Sequence, residues 1–164
     1  MPTTSYAIAI GSNRPGRAGP PRDMAAWALA QLPGEVKAAS PLIETRPLGP
    51  SHRRYANMVV LLDSDLDPPG LLIALKAIER AAGRRRGRRW GARALDLDII
   101  LWSGGAWAGP GLTIPHPQFR DRDFVLCPLA AIAPDWRDPL TGHTVRQLYA
   151  RLTAPRARPT CRGG

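Results

Sequence analysis

An α+β fold, an antiparallel sheet covered by helices, is predicted by three observations. Apolar runs of strand length and two segments of helical periodicity follow one another in the order strand, helix, strand, strand, helix, strand. Pro and Gly punctuate the joints between them. The last strand of the series carries Asp96 and Asp98 on one side and leucine and isoleucine on the other, the alternation of a sheet with a buried back. With 164 residues the chain is expected to form one domain over 1–152, with 153–164 as a frayed polar tail rich in Pro and Arg.

Ser5–Ile10 is an apolar run ended by Gly11-Ser12-Asn13 and reads as a first, central strand. Arg14–Pro21 is a loop, and Arg22–Leu32 a helix with Met24, Trp27, Ala28 and Leu32 inward and Pro33-Gly34 as its stop. Val36–Thr45 is a second strand disturbed at Ser40-Pro41, since proline fits only an edge or a bulge. Arg46–Arg54 holds too many turn formers to be regular, and Tyr55–Asp63 is the third strand. Asp67 as N-cap, Pro68 at the first position, the stripe Leu71, Leu75 and Ile78, and Gly83 past the end define the second helix. From Ala94 the period is two: Ala94, Asp96, Asp98 and Ile100 face one way, Leu95, Leu97, Ile99 and Leu101 the other. Ser103–Gly111 is a hairpin tip carrying Trp107, and Leu112–His116 a returning strand. Pro128–Ala133 and Thr144–Leu152 are short helices added at the C-terminal end. This order is the ferredoxin-like βαββαβ plan. Right-handed crossovers set its first and fourth strands side by side, with the aspartates in mid-sheet.

Composition narrows the function classes. No apolar run approaches the roughly 20 residues of a membrane helix, and the first residues lack a signal-peptide pattern. Cys127 and Cys161, the only cysteines, fall in an apolar run and in the tail, which fits a reducing cytoplasm better than a disulfide framework. A formal net charge of +10 suits a nucleic-acid binder, but lysines number only Lys37 and Lys76, and Arg, Ala, Pro and Gly abound together as GC-rich codons dictate. No G-x-x-x-x-G-K-[ST] occurs, so a P-loop is excluded.

Asp96 and Asp98 are the candidate metal ligands. Two carboxylates at i and i+2 of a strand lie about 6–7 Å apart and repel unless a cation joins them. Arg84, Arg85, Arg86, Arg88, Arg89 and Arg93 stand just upstream. Carboxylates for a hard divalent ion beside guanidinium groups for phosphates suit a metal-bound triphosphate. The alternative is neutralisation of the aspartates by Arg89 and Arg93 on a solvated face.

R-W-G-x-R-x-L-D-L-D-I at Arg89–Ile99, L-T-I-P-H-P at Leu112–Pro117 and R-x-F-V-L-x-P-L-x-x-I-A-P at Arg122–Pro134 resemble the 6-hydroxymethyl-7,8-dihydropterin pyrophosphokinase family. I-G-S-N at Ile10–Asn13 and R-P-L-G-P at Arg46–Pro50 add to the likeness, which covers Tyr6–Leu152. The resemblance implies the same α+β core and transfer of the β,γ-diphosphate of ATP to a reduced pterin, releasing AMP, a step of folate biosynthesis. It implies two Mg²⁺ on Asp96 and Asp98, and Arg84 and Arg93 as catalytic cations. It implies nucleotide contacts from Arg84, Trp90, Ile99, Thr113, Ile114, His116 and Arg122. For the pterin it implies Thr45, Arg46 and Leu48 as a backbone-reading loop, Asn57 on the amide-like edge, and Tyr55 and Phe124 as the flanking aromatics. Core packing competes as the role of Ile99, Ile114 and Trp90. Small-molecule substrates, a monomer, and neither membrane nor nucleic acid are expected. Two other readings are an RNA-binding ferredoxin-like module, which the central carboxylates oppose, and a different metal-dependent phosphoryl or nucleotidyl transferase on the same scaffold.

Overall fold

The computed structural model describes residues 2–45, 55–83 and 94–155. Its main sheet is antiparallel throughout. Strand β1 (Thr4–Ser12) pairs with β4 (Tyr55–Ser64) on one side and β5 (Asp96–Trp102) on the other, while β2 (Glu35–Ala39) and β3 (Ile43–Thr45) share the outer edge of β4. Helices α1 (Pro21–Gln31) and α2 (Pro68–Gly83) lie on one face, α3 (Asp123–Ile132) and α4 (Val145–Thr153) on the other. The first core layer contains Ile8, Ile10, Val60, Leu62, Leu97 and Ile99 with Met24, Leu71 and Leu75. The second contains Ala7, Val59, Ile100 and Leu101 with Phe119, Leu126, Leu129 and Leu148.

The expected elements are present, with corrections that have physical causes. Gly11 and Ser12 continue β1 rather than ending it, because Gly11 pairs with Asn57 and Asp96 in register. The predicted Val36–Thr45 strand is two strands. At the break the Ser40 N–H donates to the Val59 carbonyl and the Val59 N–H to Ser40 Oγ, both at 2.9 Å, so a side chain replaces the ladder bond that Pro41 interrupts. Among the described residues β5 is terminal in the sheet order, not in mid-sheet; β1 alone of the expected pair is central. The alternation of β5 also fails at its end: Ala7 pairs with Leu101 and Ile8 with Ile99, so Ile100 is an extra residue and Leu101 turns to the same core layer as Ile100. Trp107 stands in a strand, β6 (Trp107–Gly109), paired with β7 (Leu112–Ile114); Pro110 and Gly111, the latter at φ +70, form the turn. The predicted helix at Pro128 begins at Asp123, with Pro128 inside it.

Helix boundaries follow local chemistry. Asp67 Oδ1 accepts the Gly70 N–H at 2.9 Å, and Thr144 and Gln147 form a reciprocal capping box at the start of α4. In α2 the buried stripe runs Leu71, Leu75, Glu79 and Ala82, so a glutamate occupies the deep position and Ile78 a shallower one. The final helix reaches Thr153, and 156–164 of the predicted tail lie outside the described residues.

One ion pair braces the segment between β7 and α3. Asp138, fully buried, accepts both Arg120 Nε and Nη2, the latter at 2.8 Å, with the Leu140 N–H at 3.0 Å and the Thr141 hydroxyl at 2.8 Å. Burial raises the Asp138 pKa, but these donors outweigh it and bring it down to about 2, from 3.8. The folded state therefore binds fewer protons here, and the stabilisation is complete above the unfolded pKa and lost as pH falls through the folded one. A shift of this size corresponds to about 2 kcal/mol. Asp138→Asn is expected to lower Tm at pH 6 and to converge on wild type between pH 4 and 2, followed by thermal denaturation. A gap that persists at pH 2 would contradict this.

Candidate active site

The register of three strands builds the site. Asn57 of β4, Gly11 of β1 and Asp96 of β5 form one row, and Val59, Ala9 and Asp98 the next. At about 4.8 Å per strand, the Asn57 and Asp96 backbones stand about 10 Å apart with a glycine between them. Both rows share the face that α3 and α4 cover further along, over Ala7, Ile100 and Leu101. The helices stop short of the Gly11 row, where Asp96 is exposed and Asn57 and Asp98 are half-buried. An open polar shelf is thus continuous with a closed apolar layer. Gly11 is its floor: a Cβ there would lie 3.2 Å from Asn57 Oδ1.

One wall comes from the segment after β7. The His116 N–H donates to the Ile100 carbonyl at 3.0 Å, fastening the segment to the outer edge of β5. The Gln118 N–H donates to His116 Nδ1 at 3.1 Å, which makes Nδ1 the acceptor and assigns the proton of the neutral ring to Nε2. Burial lowers the His116 pKa; the Asp98 charge opposes this and Arg122 adds to it. The imidazole is therefore neutral at pH 7 and presents an N–H. Gln118 also accepts Arg122 Nη2 with its side-chain oxygen, so one residue holds both the histidine and the arginine. Arg122 lies over the Phe124 ring, 5.7 Å from its centroid.

The described residues include most, but not all, of the predicted site. Asp96, Asp98 and Asn57 are brought together on the shelf by the strand register. His116 lies close enough to both Asp98 and Arg122 to feel their charges. Tyr55, 40% exposed, opens β4 on the same side as Asn57; Phe124, 37% exposed, stands in the first turn of α3. Both are large aromatic surfaces left partly uncovered. Thr45 pairs with Tyr55 through β3, and Thr113 is exposed on β7. Ile99 and Ile114 are 4% and 1% exposed within the α1/α2 core layer, so packing is what their side chains do. Arg46, Leu48, Arg84, Trp90 and Arg93 lie outside the described residues. Sequence reading missed Gly11, taken as a turn, together with Gln118 and Glu79. For Glu79 a signal existed: it stands eight residues beyond Leu71, on the apolar stripe of the helix.

Two adjacent carboxylates fit a Mg²⁺-nucleotide better than a protein-only cage, since Mg²⁺ takes one or two carboxylates and completes its shell with phosphates and water. Among the described residues no group of three acidic, His or Cys side chains is gathered as a metal cage, and no helix is long and apolar enough to cross a membrane.

Comparison with known proteins identifies the family. The family model for 7,8-dihydro-6-hydroxymethylpterin-pyrophosphokinase matches residues 7–134. A 2-amino-4-hydroxy-6-hydroxymethyldihydropteridine pyrophosphokinase of Synechocystis is 42% identical over 167 aligned residues, 99% of this chain and 85% of that protein. The protein of the same name from Pseudomonas aeruginosa is 43% identical, over 87% of this chain and 89% of its own length. Among solved structures, wild-type Plasmodium falciparum HPPK-DHPS superposes with a TM-score of 0.71 at 14% identity, a likeness of fold. It covers 92% of this chain, which spans about two fifths of the Plasmodium chain, 41%. With the family model spanning most of its length and relatives above 40% identity aligned nearly end to end, the chain belongs to the 7,8-dihydro-6-hydroxymethylpterin-pyrophosphokinase family.

Proposed function

We propose that this protein transfers the β,γ-diphosphate of ATP to the hydroxymethyl oxygen of 6-hydroxymethyl-7,8-dihydropterin, giving the pterin diphosphate and AMP for folate biosynthesis. The observation that carries the reading is the Asn57–Gly11–Asp96 row, with Asp98 beside it. It sets a carboxamide about 10 Å from a carboxylate pair across a floor without a side chain. That span suits a flat heterocycle whose amide-like edge meets Asn57 and whose one-carbon arm reaches the aspartates. The strand order, with β2 and β3 taken as one interrupted strand, supports a ferredoxin-like core.

In the reaction the pterin hydroxyl oxygen bonds to Pβ as the bond from Pβ to the α,β-bridging oxygen breaks. AMP leaves with that oxygen, and the hydroxyl proton passes to solvent. Two Mg²⁺, held by Asp96 and Asp98, would neutralise the triphosphate and lower the pKa of the attacking hydroxyl. The protein contributes position and charge. Asn57 orients the ring by donating and accepting at once. Tyr55 and Phe124 cover its two faces, and the backbone of Thr45, Arg46 and Leu48 reads its edge. His116 donates its Nε2–H to a phosphoryl oxygen, and neutrality keeps it from competing with the cations for Asp98. Arg84, Arg93 and Arg122 pair with phosphates, their charge independent of pH near neutrality. Thr113 adds a hydroxyl toward the nucleotide, and Trp90 is taken as a further nucleotide contact. The single domain over 1–152 is taken to work as a cytoplasmic monomer.

Incubation with ATP, Mg²⁺ and the pterin should yield AMP and the pterin diphosphate, each absent when any component is withheld. Formation of ADP, or no turnover by folded protein, would contradict the reading. Gly11→Val is expected to raise the pterin KM about tenfold or more. The β-branched side chain suits a strand but crowds Asn57 Oδ1, where even a Cβ would come within 3.2 Å. An unchanged KM would show that the floor does not need to be bare.

A further inference from the structure

Glu79 is a carboxylate in the wrong place for an ordinary amphipathic helix. It stands on the inner stripe of α2 with Leu71, Leu75 and Ala82, and only 6% of its side chain is exposed. An ionised group there is costly unless hydrogen bonds compensate. Its Oε1 accepts the Leu97 N–H at 2.9 Å, and Lys76 Nζ approaches Oε2 at 3.4 Å. Leu97 is the residue between Asp96 and Asp98. Strand β5 is terminal in the described sheet, so α2 supplies at this amide what a neighbouring strand supplies elsewhere.

We propose that Glu79 is a positioning residue for the Asp96/Asp98 pair, holding from the opposite side of the sheet the peptide that spaces the two carboxylates. The inference rests on reading that pair as the metal site. The Leu97 side chain lies in the same core layer as α2, while both aspartates project to the other face. Fixing the Leu97 amide fixes the pleat of the strand, and the pleat sets the direction and separation of the side chains on either side of it. Glu79 itself touches no substrate. Outer partners of this kind typically change metal affinity or activity by about 10- to 100-fold.

The test compares Glu79→Met with Glu79→Gln. Methionine fills the same volume but accepts no strong hydrogen bond, whereas glutamine keeps an oxygen for Leu97. For Glu79→Met the expected result is a Mg²⁺ concentration for half-maximal activity raised about tenfold or more and a lowered kcat, with the pterin KM within about threefold of wild type. Glu79→Gln should restore the Mg²⁺ dependence to within about threefold. A merely structural role would lower Tm and the active fraction while leaving the Mg²⁺ midpoint where it was; that outcome overturns the inference. Should Glu79→Met fail to fold, Glu79→Gln decides through hydrogen exchange at the Leu97 amide. Slow exchange with a near-native Mg²⁺ midpoint supports the inference, and a protected amide with a shifted midpoint, or a labile amide with a native one, overturns it. Asp98→Ala in the same assay separates the two levels: activity surviving there removes the metal reading itself, whereas an inactive Asp98→Ala beside a native-like Glu79→Met removes only the role of Glu79.

Discussion

Asp98→Ala is expected to lower kcat by about three orders of magnitude or more while the protein remains folded. The side chain is half-buried on an open shelf, and its neighbours in the row, Ala9 and Val59, pack without it. Removing one of two adjacent carboxylates relieves repulsion in the absence of metal, so Tm should hold or rise. On the proposed mechanism the same deletion would weaken the hold on the metal ions that neutralise the triphosphate, and a loss of about 4 kcal/mol of transition-state stabilisation is of the size that electrostatic groups supply. Steady-state kinetics over a Mg²⁺ titration, beside a thermal melt, gives both numbers. Turnover near wild type in Mg²⁺ would remove the carboxylate pair from the mechanism.

Phe124→Ala is expected to raise the pterin Kd by about 10- to 100-fold and to leave ATP affinity within about threefold. A flat ring covered by an aromatic face contributes about 1.5–3 kcal/mol from buried area and stacking, which is that range of affinity. The helix should survive the change, because alanine is the best helix former and Phe124 stands in the first turn of α3 with its ring 37% exposed. Arg122 loses the ring beneath it as well, so ATP affinity is the informative control. Calorimetry with the pterin and, separately, with a non-hydrolysable ATP analogue distinguishes the two. Equal losses would mean that the ring supports Arg122 rather than the pterin.

The placement of Asp96 and Asp98 on one side of a strand was legible because it obeys short-range rules. The period of two through Asp96 and Asp98 requires only the alternation of a strand, and the Asp67-Pro68 start of α2 only the needs of a helix terminus. What escaped was set by tertiary partners. Nothing local to Ile100 announces the extra residue that turns Leu101 to the other layer; it appears only against Ala7 and Ile8 of β1. Gly11 reads as a turn beside Ser12 and Asn13, yet pairing on both sides keeps it in the strand and makes it the floor. The edge position of β5 follows from which neighbours the sheet has, while its sequence is as apolar as a central strand because the helices cover both faces.

The most direct test of the whole account is to follow both transferred phosphorus atoms. With ATP labelled at the β-phosphate in one reaction and at the γ-phosphate in another, wild-type protein, Mg²⁺ and 6-hydroxymethyl-7,8-dihydropterin should place either label on the pterin and leave AMP unlabelled. Omission of Mg²⁺ should abolish transfer. A γ-label on the pterin with the β-label retained in ADP would mean single phosphoryl transfer, and would contradict attack at Pβ on a metal-bound triphosphate held over Asp96 and Asp98.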